Sequence, residues 1–246
     1  MTQNEEHLTI APLTNVGLCV SAITSAMDRT HGLPGIVEMH GPSGWGKSVA
    51  AGHAAMRLDA YYVEVQSTWT RKYFLLAILE DMGIAPAKTI PELMRQIAEQ
   101  MTLSQRPLIV DEAGLLLEKE GGAKLIKDLS EATQGTIMLI GEETLPALIG
   151  RWERLDGRVL EWVPAQPVSL PDARLLTKIY APGLEVADDI LETLVRLAEG
   201  SVRRVIVNLD RIHKEAAKTG WTKVSMKEWG DREFYTGKAP ARRKRA

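Results

Sequence analysis

The sequence predicts an α/β fold, in which a five-stranded parallel sheet is flanked by helices and followed by a small all-α lid. Three observations lead to this prediction. A glycine-rich phosphate loop lies between a short strand and a helix, an apolar strand ends in two adjacent acids, and beyond about residue 168 apolar residues recur only at helical spacing. The 246 residues are enough for one sizeable α/β domain with a small appendage.

The most specific motif is GPSGWGKS at residues 41–48, a complete G-x-x-x-x-G-K-[ST] sequence. The glycines allow a tight turn that points N–H groups at phosphate oxygens, the lysine reaches the β- and γ-phosphates, and the serine hydroxyl binds Mg²⁺. The helix that begins at Lys47 directs its positive end at the same anion. We therefore expect ATP and Mg²⁺ as cofactors, held by Gly41, Pro42, Ser43, Gly44, Trp45, Gly46, Lys47 and Ser48.

The second motif is the apolar strand at residues 106–112, which ends in Asp111 and Glu112. Its run of Leu, Ile and Val is typical of a buried parallel strand, and ligands bind beyond the carboxyl ends of such strands. Asp111 is predicted to hold Mg²⁺ through water, and Glu112 to polarise the attacking water as general base. The two acids favour a hydrolytic ATPase over a small-molecule kinase, which needs no water-activating glutamate.

The remaining elements follow from periodicity and capping signals. Apolar spacing predicts a helix at 14–28 and another at 70–81, and Thr89-Ile90-Pro91-Glu92 is a capping box that begins a third. Further strands are predicted at 36–40, 61–65, 136–140 and 158–163, and lid helices begin near 170, 190, 202 and 226. The expected domains are 1–165 for the α/β part, 166–236 for the lid and 237–246 for a basic, disordered tail.

Composition limits the class of protein. Hydrophobic residues make up 45% of the chain and charged residues 25%, as in ordinary globular proteins. The single Cys19 excludes an intramolecular disulfide and is predicted to be a buried thiol. No apolar run approaches the ~20 residues of a membrane span, and no signal peptide is recognisable. We expect a cytoplasmic protein, of a bacterium or a phage-infected host, that does not contact a membrane.

Charge is unevenly distributed along the chain. The last nine residues, 238–246, carry five cations and no acid, and removing these five charges from the net −2 leaves −7 for the rest. Such a tail is either a solvated end or an arm for nucleic acid or an acidic partner.

A phosphate-loop α/β domain followed by a helical lid resembles the AAA+ ATPases, over residues 10–235. The family's sensor 2 signature is similar to residues 200–204, which implies that Arg203 contacts the γ-phosphate. The family also keeps an arginine finger between the fourth and fifth strands, and it acts on the ATP of a neighbouring subunit. The resemblance carries this role to Arg151, Arg154 or Arg158, with Arg158 favoured and Arg154 second.

One family position departs from the pattern. Sensor 1 is normally Asn, Thr or Ser at the end of the fourth strand, where this chain reads Gly141-Glu142-Glu143-Thr144. Glu142 and Thr144 are both candidates for that role. Trp45 is also unusual in a phosphate loop, and its side chain either stacks on a group outside the loop or covers the helix that follows.

Within AAA+, the chain resembles the transposition target-selection branch, the Mu phage B protein and TnsC-like ATPases. The similarity rests on a minimal single module and the strand end at residues 139–143. It implies ATP-dependent self-association into an oligomer or helical filament on double-stranded DNA, with a transposase as partner. Only about 35 residues precede the first strand, too few for the helix-turn-helix domain of the Mu B protein.

DNA contacts in this branch come from loops beside the helices after the second strand and after the acidic strand. The corresponding residues are Thr70, Arg71, Lys72, Lys119 and Lys124. Such contacts would be made mainly to phosphates and would be salt-sensitive and nearly sequence-independent. These cations are equally compatible with an ordinary solvated surface.

Three other functions share some of these motifs. A helicase loader would prefer single-stranded DNA and need a helicase partner. A secretion or assembly ATPase would oligomerise without any effect of DNA. A small-molecule kinase would bind ATP as a monomer and would leave Glu112 and the arginines without a role.

Overall fold

The computed structural model describes residues 11–237, which form two compact units. The larger unit comprises residues 15–43 and 47–165. Within the described part, the smaller unit comprises residues 11–14, 44–46 and 166–237. The basic residues 238–246, predicted as a disordered tail, lie outside the described range. None of the helices between residues 11 and 237 has both the length and the apolar character needed to cross a membrane.

The larger unit is built on a five-stranded parallel sheet in the order β2-β3-β4-β1-β5, which confirms the predicted class. The strands are β1 (Ile36–His40), β2 (Tyr61–Glu64), β3 (Leu108–Asp111), β4 (Ile137–Gly141) and β5 (Val159–Pro164). β1 pairs with β4 without a shift, from Ile36 opposite Ile137 to His40 opposite Gly141. This register places the carboxyl ends of the central strands at one edge.

Eight helices connect and flank these strands in the described sequence up to residue 165. They are α1 (Thr14–Met27), α2 (Lys47–Leu58), α3 (Arg71–Asp81), α4 (Ile90–Ser104), α5 (Ala113–Leu117), α6 (Glu120–Thr133), α7 (Leu145–Gly150) and α8 (Glu153–Asp156). The predicted capping box is present, since Thr89 forms it with Glu92. At the start of α3 the Thr70 hydroxyl also accepts a hydrogen bond from the Tyr73 amide at 3.2 Å. The short helices α5, α7 and α8 were not predicted, because four to six residues are too few to show helical periodicity.

The main hydrophobic core of the larger unit lies on one face of the sheet. Alternate strand residues supply it, among them Ile36, Leu108, Val110 and Leu139, each with no exposed surface. Residues of α3, α4 and α6 pack against them, because apolar residues on those helices recur at three and four positions. Cys19 of α1 is fully buried, as predicted, and burial raises the pKa of its thiol to about 12.

The smaller unit is mostly helical, with one difference from the predicted all-α lid. Its helices are α9 (Leu170–Tyr180), α10 (Asp188–Ala198), α11 (Val202–Thr219) and α12 (Met226–Trp229). Two additional strands, β6 (Glu185–Val186) and β7 (Lys223–Val224), pair in parallel. Each has two residues, too few for the alternation by which a strand is recognised in a sequence.

A glutamate is buried in the middle of β1. Glu38 has no exposed surface, and one of its oxygens, Oε2, lies 2.8 Å from Nδ1 of His40. Its other oxygen, Oε1, has no hydrogen-bond partner in the described part of the chain. Burial raises the pKa of Glu38 to about 8, since a charge is costly away from water.

This raised pKa should make stability depend on pH. Between about pH 4.5 and about pH 8 the unfolded chain releases the Glu38 proton and the folded chain keeps it, so the free energy of unfolding falls as pH rises. Glu38→Gln, which cannot ionise, should remove this decline and be more stable at pH 8 by on the order of 3 kcal/mol. Urea unfolding of both proteins at several pH values measures the difference. His40 titrates in both proteins, so parallel curves would contradict a neutral Glu38.

Candidate nucleotide-binding site

The phosphate loop follows β1 and leads into α2, and a side chain would be sterically excluded at two of its glycines, Gly41 and Gly44. Gly44 has a φ of +84°, and a Cβ there would lie 2.8 Å from the hydroxyl oxygen of Ser201. A Cβ on Gly41 would lie 2.9 Å from the Cβ of Ala165. The bare backbone at these positions suits close approach of amide groups to an anion.

Lys47 is 9% exposed and bends back over the loop. Its Nζ donates hydrogen bonds to the carbonyl oxygens of Gly41 at 2.7 Å and Pro42 at 2.9 Å. Burial lowers the pKa of Lys47, and the nearby carboxylates of Glu112, Asp111, Glu142 and Glu143 oppose that shift. The site therefore combines one cationic donor with several acids.

The charges around Lys47 indicate whether the expected cofactors, ATP and Mg²⁺, suit this site. The carboxylates near Lys47 outnumber it, so a triphosphate at this site needs additional positive charge, which a divalent cation provides. The described residues contain no cluster of three or more His, Cys, Asp or Glu that could hold a metal by itself. That agrees with Mg²⁺, which is commonly bound by one or two protein oxygens together with substrate phosphates and water. The residues thus fit Mg²⁺ with ATP.

Asp111, the predicted metal residue, is 1% exposed at the end of β3. Its Oδ1 accepts the backbone N–H of Glu112 at 2.9 Å, and its Oδ2 accepts the hydroxyl of Tyr62 at 3.0 Å. Each carboxylate oxygen retains one further acceptor position, which suits binding of a metal-bound water. The sequence did not predict this role of Tyr62. Tyr62 is paired with Ile109, and Ile109 and Asp111 are two residues apart on β3, so the three side chains share one face of the sheet.

Glu112, the predicted general base, has an unusual backbone conformation. Its φ of +54° and ψ of +35° are left-handed, which is uncommon for a residue with a side chain and often occurs at functional sites. Burial and then the charge of Asp111 raise the pKa of its carboxyl group. A raised pKa makes the carboxylate a better proton acceptor.

The end of β4 brings acids rather than an amide or hydroxyl toward the site. Gly141 is the last strand residue, and the charge of Glu142 acts on both Lys47 and Glu112. Thr144 is exposed and precedes α7 without a side-chain capping bond. Of the two candidates for sensor 1, Glu142 is the one with an electrostatic link to the predicted catalytic residues.

The three residues at the tip of the phosphate loop, 44–46, belong to the smaller unit. The indole of Trp45 lies so close to Gly200 that a Cβ there would be 2.5 Å from the ring. Arg203, the predicted sensor 2 arginine, is exposed in the first turn of α11, and its backbone N–H donates to the Gly44 carbonyl at 3.4 Å. Its neighbour Arg204 instead forms an ion pair with Glu199 at 2.7 Å.

The predicted arginine-finger candidates have different surroundings. Arg158 is paired with Glu131 at 2.6 Å, although its side chain is 43% exposed. Arg151 and Arg154 line a cavity of about 490 Å³ together with Lys124 and Lys127. The structure therefore distinguishes an arginine that has an acidic partner in its own chain from two that face an open, cation-rich cavity.

The predicted DNA residues do not all lie together. Thr70, Arg71 and Lys119 line a second cavity of about 420 Å³, which we call the basic groove, with Trp69, Gly121 and Gly122 among its other residues. A Cβ on Gly121 would lie 3.1 Å from the Arg71 side chain, so this glycine lets the arginine lie across α6. Lys124 belongs to the other cavity, and Lys72 lines neither of the two.

Comparison with known proteins finds a family of domains that is similar to part of this chain. Residues 30–149 match the model of an AAA domain, AAA_22. No curated protein matches the chain in sequence. The matched segment contains the phosphate loop, Asp111 and Glu112.

Solved structures share the fold at low sequence identity. The Orc1 protein of Aeropyrum pernix, determined in complex with DNA, is 18% identical with a TM-score of 0.59, over 86% of this chain and 61% of that one. Cdc6p from Pyrobaculum aerophilum is 14% identical with a TM-score of 0.62, over 90% and 66%. A Walker-type ATPase of Pyrococcus abyssi is 16% identical with a TM-score of 0.63, over 90% and 72%. The chain thus spans less than two thirds of the length of the first two.

The match and the geometry agree on the fold. Residues 30–149 match an AAA domain, and the five-stranded parallel sheet with its flanking helices is the P-loop AAA+ fold.

Proposed function

We propose that this protein is a DNA-binding AAA+ ATPase that assembles on double-stranded DNA in the ATP-bound state and delivers target DNA to a transposase. The observation that carries the DNA part is the basic groove, in which Arg71 and Lys119 come together from separate segments beside the hydroxyl-bearing Thr70. Two cations with neighbouring hydroxyl and backbone donors suit the phosphates of a nucleic-acid strand. The transposase and the filament follow only from the resemblance to the Mu B and TnsC-like branch.

The proposed roles of the catalytic residues are as follows. Lys47 would bind β- and γ-phosphate oxygens, Ser48 would hold Mg²⁺, and Asp111, whose Oδ2 accepts the Tyr62 hydroxyl, would hold it through water. Glu112 accepts a proton from the attacking water. Mg²⁺·ATP supplies the phosphoanhydride bond that is broken. Arg203 lies in the first turn of α11 and is proposed to report the γ-phosphate.

A second copy of the chain completes the site in this proposal. Arg154 is the better candidate for the arginine that acts on a neighbour's ATP, because Arg158 is already paired with Glu131 in its own chain. Arg151 lines the same cavity and is the second candidate. Assembly and hydrolysis are then coupled, since each active site requires a residue from another subunit.

Replacing the proposed base should separate binding from hydrolysis. Glu112→Gln keeps the size of the side chain and removes its proton-accepting charge. We expect ATP affinity within about threefold of wild type and hydrolysis slower by about 100-fold or more, with the assembled state retained. Phosphate release and light scattering measure the two properties, and Glu161→Gln on β5 is a matched exposed control. Hydrolysis at the wild-type rate by Glu112→Gln would exclude this role.

The arginine that acts between subunits can be identified by mixing variants. Arg154→Ala alone should reduce hydrolysis by about 1,000-fold, because charge stabilisation in the transition state is lost. Mixed with Glu112→Gln, it should regain activity, since the second variant supplies Arg154 to an intact site in the first. Arg158→Ala should keep most of its hydrolysis. If Arg158→Ala is the variant that needs complementation, the assignment to Arg154 is wrong.

Charge reversal in the basic groove tests the DNA proposal. Arg71→Glu with Lys119→Glu should weaken duplex binding at least tenfold and reduce the slope of log affinity against log salt by about two, with ATP affinity unchanged. The control, Lys88→Glu with Arg95→Glu, makes the same charge change at exposed positions near and in α4. Fluorescence anisotropy on duplex and single-stranded oligonucleotides measures both. Equal losses in the two double variants would remove the groove from the DNA site, and a preference for single strands would favour a helicase loader.

A further inference from the structure

A pair of titratable residues lies directly before the phosphate loop and has no role in the function proposed so far. Glu38 and His40 are two residues apart on β1 and share one hydrogen bond, 2.8 Å between Oε2 and Nδ1. Glu38 is fully buried, and 24% of the His40 side chain is exposed. Gly41, the first residue of the loop, follows His40 immediately.

The position of the proton in this pair follows from its surroundings. Burial raises the pKa of Glu38 to about 8, and burial together with the charge of Lys47 lowers the pKa of His40. Both groups are therefore neutral at pH 7. The Glu38 hydroxyl then donates to Nδ1 of His40, and the single proton of the ring lies on Nε2.

Few other charged groups act on the pair. β4 and α7 contain no titratable residue, and Glu161 of β5 is in register with Val37, so it lies on the opposite face of the sheet from Glu38. Lys47, at the start of α2, is the charged group that acts on His40. Burial and this one lysine thus set the protonation of the pair.

The second nitrogen of the ring is available beside the phosphate loop. Glu38 occupies Nδ1, so Nε2 is the nitrogen left for another partner, and His40 is near enough to Lys47 for the lysine charge to lower its pKa. Within residues 11–237, Nε2 of His40 makes no hydrogen bond to another side chain or backbone group. Its in-register neighbour on β4 is Gly141, which presents no side chain at this edge.

We propose that Glu38 orients His40 so that its Nε2–H donates a hydrogen bond to an oxygen of the bound triphosphate, beside Lys47. Glu38 is a positioning residue in this arrangement, and His40 is a nucleotide-binding residue. The proposal rests on ATP binding at the phosphate loop, and it does not depend on DNA, a transposase or filament formation.

The pair also gives nucleotide binding a characteristic pH dependence. When Glu38 loses its proton to solvent, the carboxylate can no longer donate and instead accepts Nδ1–H. The ring proton then lies on Nδ1, and Nε2 presents a lone pair toward the phosphate. A favourable hydrogen bond thereby becomes a repulsion as pH rises through the Glu38 pKa of about 8.

Glu38→Gln tests this pH-dependent movement of the ring proton, since an amide N–H can donate to Nδ1 at every pH. We would measure the affinity for a non-hydrolysable ATP analogue with Mg²⁺ from about pH 7 to about pH 9 by calorimetry, without DNA. Wild-type affinity should fall by about tenfold over this range, and that of Glu38→Gln by less than about threefold. Lys47 and its titration are common to both proteins, so the difference between the two profiles isolates Glu38.

His40→Phe and His40→Gln test the contact itself. Each should bind the analogue about tenfold more weakly than wild type at pH 7 and should lack the decline toward pH 9. Circular dichroism shows which of the two variants is folded, and affinity is read from that one. Identical pH profiles for wild type and Glu38→Gln, or wild-type affinity in a folded His40 variant, would overturn the proposal. Binding by wild type at pH 7 would still establish the ATP site in either case.

Discussion

The candidate site depends on the parallel register of β1, β3 and β4. Because these strands begin and end nearly in step, their carboxyl ends meet at one edge, and two chain segments distant in sequence act on Lys47 together. One acid pair comes from the end of β3 and the other from the end of β4, and the lysine comes from the start of α2. A shift of one residue in either pairing would turn the side chains to opposite faces. The phosphate loop thus gains its electrostatic setting from the sheet rather than from its own sequence.

The parts that were predictable from the sequence are those determined by local chemistry. The phosphate loop, the acids that end β3, and the cap at Thr89 are each specified within a few residues, and the structure has the corresponding elements. The bond between Tyr62 and Asp111 joins residues 49 positions apart and leaves no local pattern. The pairing of β6 with β7 is likewise a tertiary contact between segments too short to show a period.

The arginines and lysines give a further example of contacts that cannot be predicted from local sequence. Arg151, Arg154 and Arg158 are indistinguishable as residue types, and their order along the chain favoured Arg158. The side chain of Glu131, 27 residues earlier, changes this choice by pairing with Arg158. Similarly, Arg71 and Lys72 are adjacent, yet only Arg71 lines the basic groove, because successive residues of a helix point in different directions. Tertiary packing, and not the residue type, thus determines which of these cations contacts an acid or lines a cavity.

The contact between Trp45 and Gly200 links two positions that are far apart in the sequence. The indole occupies the space that any side chain at position 200 would need, and the φ of +86° at Gly200 already disfavours other residues. A bulky residue at position 45 of the phosphate loop therefore requires a glycine at position 200, in front of α11. A glycine at position 200, in contrast, does not require a bulky residue at position 45. Among descendants of this chain, loss of the glycine should be found only where the tryptophan has first been replaced by something smaller, so the order of substitution is fixed by geometry.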